Sequence, residues 1–309
     1  HRLGANEAPP AIVSVFLGEE LEAVIDSLER GVKYSDKGRK TMKLGVDTLP
    51  ELPKDTTDRN RTSPFAFTGN KFEFRMVGAS LSLAGPNIII NTIVADALRT
   101  FAEELEGAKD FNAALHDLVV RELKENGRIL FNGNNYSEEW AKEAARRGLL
   151  NLKNAAEALP LFADKKNIGL FERNGVFTAR EVVTRTDIML ENYCKVLNIE
   201  ALTMIEMAKR DIWPAVNEYI ETLCNTARSK KEAGAAAAAD RRLIQKLSAD
   251  NDAMFERAEA LEGLLVEGKA CGTPALLAAF FAEKVIPVMC ELRMYADGME
   301  LDTAAKVWP

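Results

Sequence analysis

Residues 58–78 read DRNRTSPFAFTGNKFEFRMVG, interleaving Arg59, Arg61, Lys71, Glu73 and Arg75 with Phe65, Phe67, Phe72 and Phe74. A solvated charge run does not usually carry phenylalanines, because apolar surface left in water gains nothing. FEFRM alternates strictly, which is the period of a strand. Phe72, Phe74 and Met76 then share one face, and Glu73 and Arg75 the other. A carboxylate beside a guanidinium, on a face backed by apolar packing, reads in two ways. It is a structural ion pair, or a site that handles an anion next to a cation.

Composition narrows the classes. The chain has 309 residues, 47% hydrophobic and 28% charged, as in ordinary globular proteins. A net charge of −7 argues against a nucleic-acid binder held by phosphate contacts. Cys194, Cys224, Cys271 and Cys290 are widely spaced and form no CxxC pair. They read as reduced, buried thiols of a cytoplasmic protein. No apolar run approaches the ~20 residues of a membrane span, and no signal peptide opens the sequence.

Residues 1–10, HRLGANEAPP, read as a loop with a permissive middle and a stiff double-proline end. Residues 11–16, AIVSVF, suit a buried strand, and residues 18–30 a short amphipathic helix. Residues 31–58 show little periodicity and read as an excursion. Pro86 suits the first turn of a helix over 87–105, whose IIINTIVADAL is apolar nearly all round and predicts burial. Helical periodicity resumes over 109–125 and 137–147, with Ser137 as a helix start. From Thr178 onward the pattern is almost wholly helical, with Thr178 and Glu181 spaced as a capping box. Pro214 should kink or end one helix, Gly234 separates two more, and Gly272-Thr273-Pro274 opens a last long one. The tail reads as long antiparallel helices packed on one another.

The chemistry concentrates in two places. The first ten residues carry Arg2 and Glu7; the strand carries Glu73 and Arg75. Arginine pairs bidentately with carboxylate and phosphate, and a carboxylate near bound phosphates suits Mg²⁺. By residue type alone, a structural ion-pair network fits as well.

HRLGANEAPP, the 58–78 stretch and the following SLAGPN, taken in order, resemble the C-terminal half of a glutamine synthetase of the type III class. The family carries a similar RLVPGYEAP loop, an NRS motif and a closing E-x-R strand motif. These specific motifs cover residues 2 to about 91. Looser likeness, including LENYCK and LNIEALTM, extends into the helical tail.

The resemblance implies ATP-dependent ligation of ammonia to L-glutamate through γ-glutamyl phosphate, using ATP and Mg²⁺ (or Mn²⁺). Carried over residue by residue, Arg2 and Arg75 match the arginines that hold glutamate. Glu7 matches the flap acid that closes the pocket and helps deprotonate ammonium. Arg61 matches the arginine facing the transferred phosphate, and Glu73 a metal ligand. The loop is one residue shorter than the family's and has Asn6 where the family has Tyr. Ala66 stands in the place of a second phosphate arginine, leaving Arg59 and Lys71 as candidate substitutes.

The fold so implied is α+β. Residues 1–198 complete the twisted antiparallel β half-barrel and flanking helices of the catalytic domain, and residues 199–309 form a helical C-terminal extension. The family's remaining metal carboxylates and its metal histidine belong upstream of these motifs. The expectation is therefore a piece of a synthetase that is inactive by itself. The intact protein is expected to be a cytoplasmic homo-oligomer of stacked rings, a dodecamer, with no nucleic-acid or membrane partner. Two rivals remain: a related ligase acting on another acid or amine, and a non-catalytic helical assembly protein.

His116 reads as a surface or packing residue, and Asn132, Asn134 and Asn135 as turn formers. Trp140, Trp213 and Trp308 read as core or interface anchors. The Lys230-Lys231 and Arg241-Arg242 pairs read as solvated helix faces.

Overall fold

The computed structural model describes residues 11–34, 41–42, 52–53, 63–75 and 82–309, with backbone alone for 41–42 and 52–53. Helices dominate. The strands form one three-stranded sheet and one two-stranded pair among the described residues. The chain divides into two compact units, residues 1–154 with 164–179 and residues 155–163 with 180–309.

In the first unit, β1 (Val15–Phe16) pairs in parallel with β4 (Phe65–Phe67), and β4 pairs antiparallel with β5 (Phe72–Phe74). β2 (Thr41–Met42) and β3 (Leu52–Pro53) pair antiparallel within the expected excursion. Of the strand expected over 11–16, only its last two residues are extended in the ladder. Ile12 and Ser14 before it are nonetheless buried, while Val13 faces outward. α1 (Glu19–Glu29) follows as expected and buries Ile25.

α2 (Ala84–Leu105) and α3 (Phe111–Asn126) come next, and Asp110 caps α3 by accepting from the Ala113 N–H. The burial expected of α2 is not met among the described residues. Ile93, Val94 and Leu98 are exposed, and Thr92 is the helix's buried residue. An all-round apolar sequence shows that a helix wants a cover on every side, but not that its own chain supplies one. Polar clamps fasten α2 instead. Arg121 of α3 grips Glu104 through two 2.8 Å hydrogen bonds. Arg173, ending α6 (Lys165–Arg173), and Asn174 both bond Asp96. Arg173 first, then Asn174, holds the Asp96 carboxyl well below the usual carboxylate range. α4 (Glu138–Arg146) starts at Ser137, whose hydroxyl accepts from the Trp140 N–H as its type predicts.

The second unit opens with α5 (Ala155–Ala158) and a 3₁₀ turn, Leu159–Ala163. α7 (Ala179–Met207), α8 (Trp213–Glu232), α9 (Ala238–Gly268), α10 (Pro274–Phe280) and α11 (Ile286–Asp302) build one core. α9 packs against both α8 and α11. Leu190, Val216, Leu247, Met254, Leu261 and Met299 are almost fully buried in it. Gly234, at φ +73°, turns the chain between α8 and α9 in a conformation only glycine adopts cheaply.

Pro214 does mark a break, of a particular kind. A π-helical segment, Ala208–Ile212, intervenes between α7 and α8 just before the proline. A second one, Phe281–Val285, precedes Pro287 in α11. Proline has no N–H and its ring collides with the carbonyl four residues back, so a wider turn relieves both faults without ending the helix. The last helix therefore continues to Asp302 across a proline that the sequence reading passed over.

All four cysteines are free, but Cys224 and Cys290 are exposed and only Cys194 is buried, against the expectation of buried thiols. Lys230 is not merely solvated, since it bonds Asp240 at 2.8 Å across the α8–α9 turn. His116 is exposed on α3, as read. Trp140 is buried, Trp308 packs against the helical core, and Trp213 is partly exposed. No helix among the described residues is long and apolar enough to cross a membrane.

Candidate functional site

The candidate site is built on the β4–β5 hairpin. Gly69, at φ +99°, makes its tip, and Thr68 N–H donates to the Lys71 carbonyl at 2.9 Å. The register pairs Phe65 with Phe74, Ala66 with Glu73 and Phe67 with Phe72. The phenyl rings therefore gather on one face, with Phe65–Phe72, Phe65–Phe74 and Phe67–Phe72 centroids 5.6, 5.9 and 5.2 Å apart. Phe72 is nevertheless 50% exposed, so the cluster is open on that side.

The other face carries the charges, because 71, 73 and 75 share a side at a period of two. Arg75 Nη2 lies 3.1 Å from Glu73 Oε2, and Lys71 Nζ lies 3.4 Å from Oε1. Each carboxylate oxygen thus has its own cation. The Arg75 guanidinium first, and the Lys71 ammonium second, hold the Glu73 carboxyl below its ordinary value. Arg75 is the more enclosed partner, its side chain 17% exposed against 39% for Glu73. Its backbone N–H donates to the Pro64 carbonyl at 2.7 Å, tying the end of β5 to the start of β4. Among the described residues the row sets two cations beside one carboxylate, groups of the kind that pair with anions.

Of the residues singled out from the sequence, Lys71, Glu73 and Arg75 are brought together. Arg2, Glu7, Arg59 and Arg61 lie outside the described residues. As a metal site, this row supplies one carboxylate, already shared by two cations. Among the described residues no group of three or more His, Cys, Asp or Glu gathers to hold an ion. Mg²⁺ needs oxygen donors on several sides, so the described residues alone do not fit one.

The stretch FNGNNYS, read as turns, does more than turn. Asn134 does serve the turn, its side chain accepting from the Tyr136 N–H. Asn132 Oδ1 accepts from the N–H groups of Leu17 and Gly18, at 2.8 and 2.9 Å, where β1 ends and α1 begins. Asn135 is 1% exposed; its Oδ1 accepts from the Ser14 hydroxyl at 2.8 Å and its amide donates to Ser63 Oγ at 3.3 Å. Phe131 N–H donates to the Val15 carbonyl, and a parallel bridge joins Val15 to Leu130. Residues 130–135 thus clamp β1 along the edge opposite β4.

The clamp is backed in turn. Phe131 stacks on Trp140 with ring centroids 3.7 Å apart, and Arg147 lies over the same indole while donating to the Leu130 carbonyl. Arg146 first, then Arg147, holds the Glu143 carboxyl down to about 2. The available signal was three asparagines within four residues, just ahead of a capping serine. Such a cluster can satisfy buried groups elsewhere as readily as its own turn.

Residues 114–231, running from α3 into α8, match the family described as glutamine synthetase C-terminal domain. Those residues are similar to the C-terminal domain of glutamine synthetases, and likeness to individual relatives reaches beyond them. The chain is 37% identical, over all of its length, to the type-3 glutamine synthetase of Dictyostelium discoideum. It is 36% identical over all of its length to a glutamine synthetase of Bacteroides fragilis, and 38% over 97% of it to one of Butyrivibrio fibrisolvens. The chain spans 43%, 44% and 43% of those relatives respectively, less than half of each. The chain is thus similar, over nearly all of its length, to part of proteins named glutamine synthetase, one of them of type 3.

Proposed function

We propose that this chain contributes part of the active site of a glutamine synthetase that joins ammonia to L-glutamate at the expense of ATP. In the first step a γ-carboxylate oxygen of glutamate attacks the γ-phosphorus of ATP, and ADP leaves. In the second, ammonia attacks the γ-carbonyl carbon, and inorganic phosphate leaves. Both steps concentrate negative charge between donors, so positioning and fixed cations supply most of the catalysis.

The observation that carries this reading is the Lys71–Glu73–Arg75 row, in which the E-x-R motif projects both charged members from one strand face. Arg75 would hold the carboxylates of glutamate together with Arg2. Arg61 would face the transferred phosphate, with Arg59 and Lys71 as further phosphate contacts. Glu7 would close over the intermediate and take a proton from ammonium. Glu73 would contribute one oxygen to a Mg²⁺ or Mn²⁺ site whose other donors the described residues do not provide. Such an ion, when bound, would neutralise charge on the transferred phosphate.

On this reading, residues 1–198 belong to a β half-barrel catalytic domain and residues 199–309 to a helical extension. The intact enzyme would be a cytoplasmic assembly of stacked rings. The full-length gene product, assayed for glutamine formation beside its Glu73→Ala variant, tests the proposal. Glutamine formation that collapses in the variant supports it. Turnover of ATP only with another acid or amine points to a related ligase. No turnover and no nucleotide binding points to an assembly protein.

A further inference from the structure

We propose that Asn135 is a positioning residue for this site, acting through Ser63 and Pro64 on the backbone that carries Arg75; the inference rests on the glutamine-forming reading above. Ser14, Asn135 and Ser63 are 0%, 1% and 1% exposed, an uncharged polar trio inside the protein. Enclosing such groups is costly unless they bond one another, and these do, at 2.8 and 3.3 Å. The bonds span 121 and 72 positions of sequence, so they join segments that no local turn brings together.

What they join is the site's own scaffold. Ser63 stands two residues after Arg61 and immediately before Pro64. Pro64 offers no N–H, and its carbonyl receives the Arg75 N–H at 2.7 Å. Asn135 thus fixes Ser63 against β1, and the next residue fixes the backbone that carries Arg75. Asn132 and the Val15–Leu130 bridge hold the far side of β1, so the asparagine itself is seated on rigid backbone. An apolar trio would fill the same volume without fixing direction. A hydrogen-bonded amide permits one arrangement of the three segments and penalises slippage. None of the three carries a charge, so the trio sets geometry and leaves the electrostatics of the site alone.

The test uses the full-length gene product with Ser63→Ala and Asn135→Ala, singly and together, assayed for glutamine formation. The small Ser63→Ala change decides the matter if Asn135→Ala fails to fold. Misplacing the Lys71–Glu73–Arg75 row should lower kcat by about 10- to 100-fold. The KM for glutamate should rise as well, because Arg75 is the group that would hold that substrate, and the pH profile should not shift. The double variant should lose less than the two single losses combined, since both changes remove the Asn135–Ser63 bond. Variants that lose thermal stability but keep wild-type kcat would overturn the positioning role and leave the reaction standing. A wild-type enzyme that forms no glutamine would overturn both.

Discussion

Glu73 on β5 and Arg75, the residue just past its end, face each other across 3.1 Å, with Lys71 completing the row from the other side. Replacing Arg75 by Gln removes the first cause of the lowered Glu73 carboxyl and leaves Lys71 as its cation. The Glu73 pKa should then rise toward the ordinary carboxylate value, read by NMR titration of the side-chain carbon. Glutamine formation by the full-length enzyme should fall by at least about tenfold, because glutamine offers no bidentate fork for a carboxylate. Lys in place of Arg75 should restore the charge and only part of the rate.

Glu143 gives a pH test away from the site. Its folded carboxyl is held down to about 2 by Arg146 and Arg147, whereas in an unfolded chain it titrates in the ordinary range near ~4.3. A depressed folded value means that the stabilisation is present above the unfolded pKa and is lost as the pH falls toward the folded one. The unfolding midpoints of wild type and Glu143→Gln should differ by a constant amount above about pH 5.5 and converge toward pH 2. Convergence on raising the pH instead would contradict the assignment.

Gly133 is required by space. A Cβ there would lie 2.5 Å from Phe131 Cζ, and that ring is already stacked on Trp140 at 3.7 Å. Gly133→Ala should cost about 1–3 kcal/mol in urea denaturation, the usual range for overpacking. The near-ultraviolet circular dichroism of Trp140 should change with it.

Two leucines of the helical unit separate burial from hydrophobicity. Leu261 is 0% exposed on α9, whereas Leu276 is 60% exposed on α10. Leu261→Ala should destabilise by about 2–5 kcal/mol, while Leu276→Ala should stay within about 0.5 kcal/mol. Equal losses would mean that Leu276 is covered in solution.

The sequence by itself determined whatever depends on near neighbours along the chain. Strict alternation placed Glu73 and Arg75 on one strand face, Ser137 began α4, Gly234 ended α8, and Pro214 marked a break. Each follows from backbone period or from what one residue type permits at one position. Tertiary structure alone decided the rest. Asn135 gave no local sign that it would meet Ser14 and Ser63, because those partners are far away in sequence. The apolar pattern of α2 announced a wish for burial, yet Val94 and Leu98 face outward, because burial depends on a partner surface. Pro287 stays inside a continuing helix because a π segment before it absorbs the misfit. Periodicity is a property of one segment, whereas enclosure and long-range hydrogen bonds belong to pairs of segments, and the fold alone chooses the pairs.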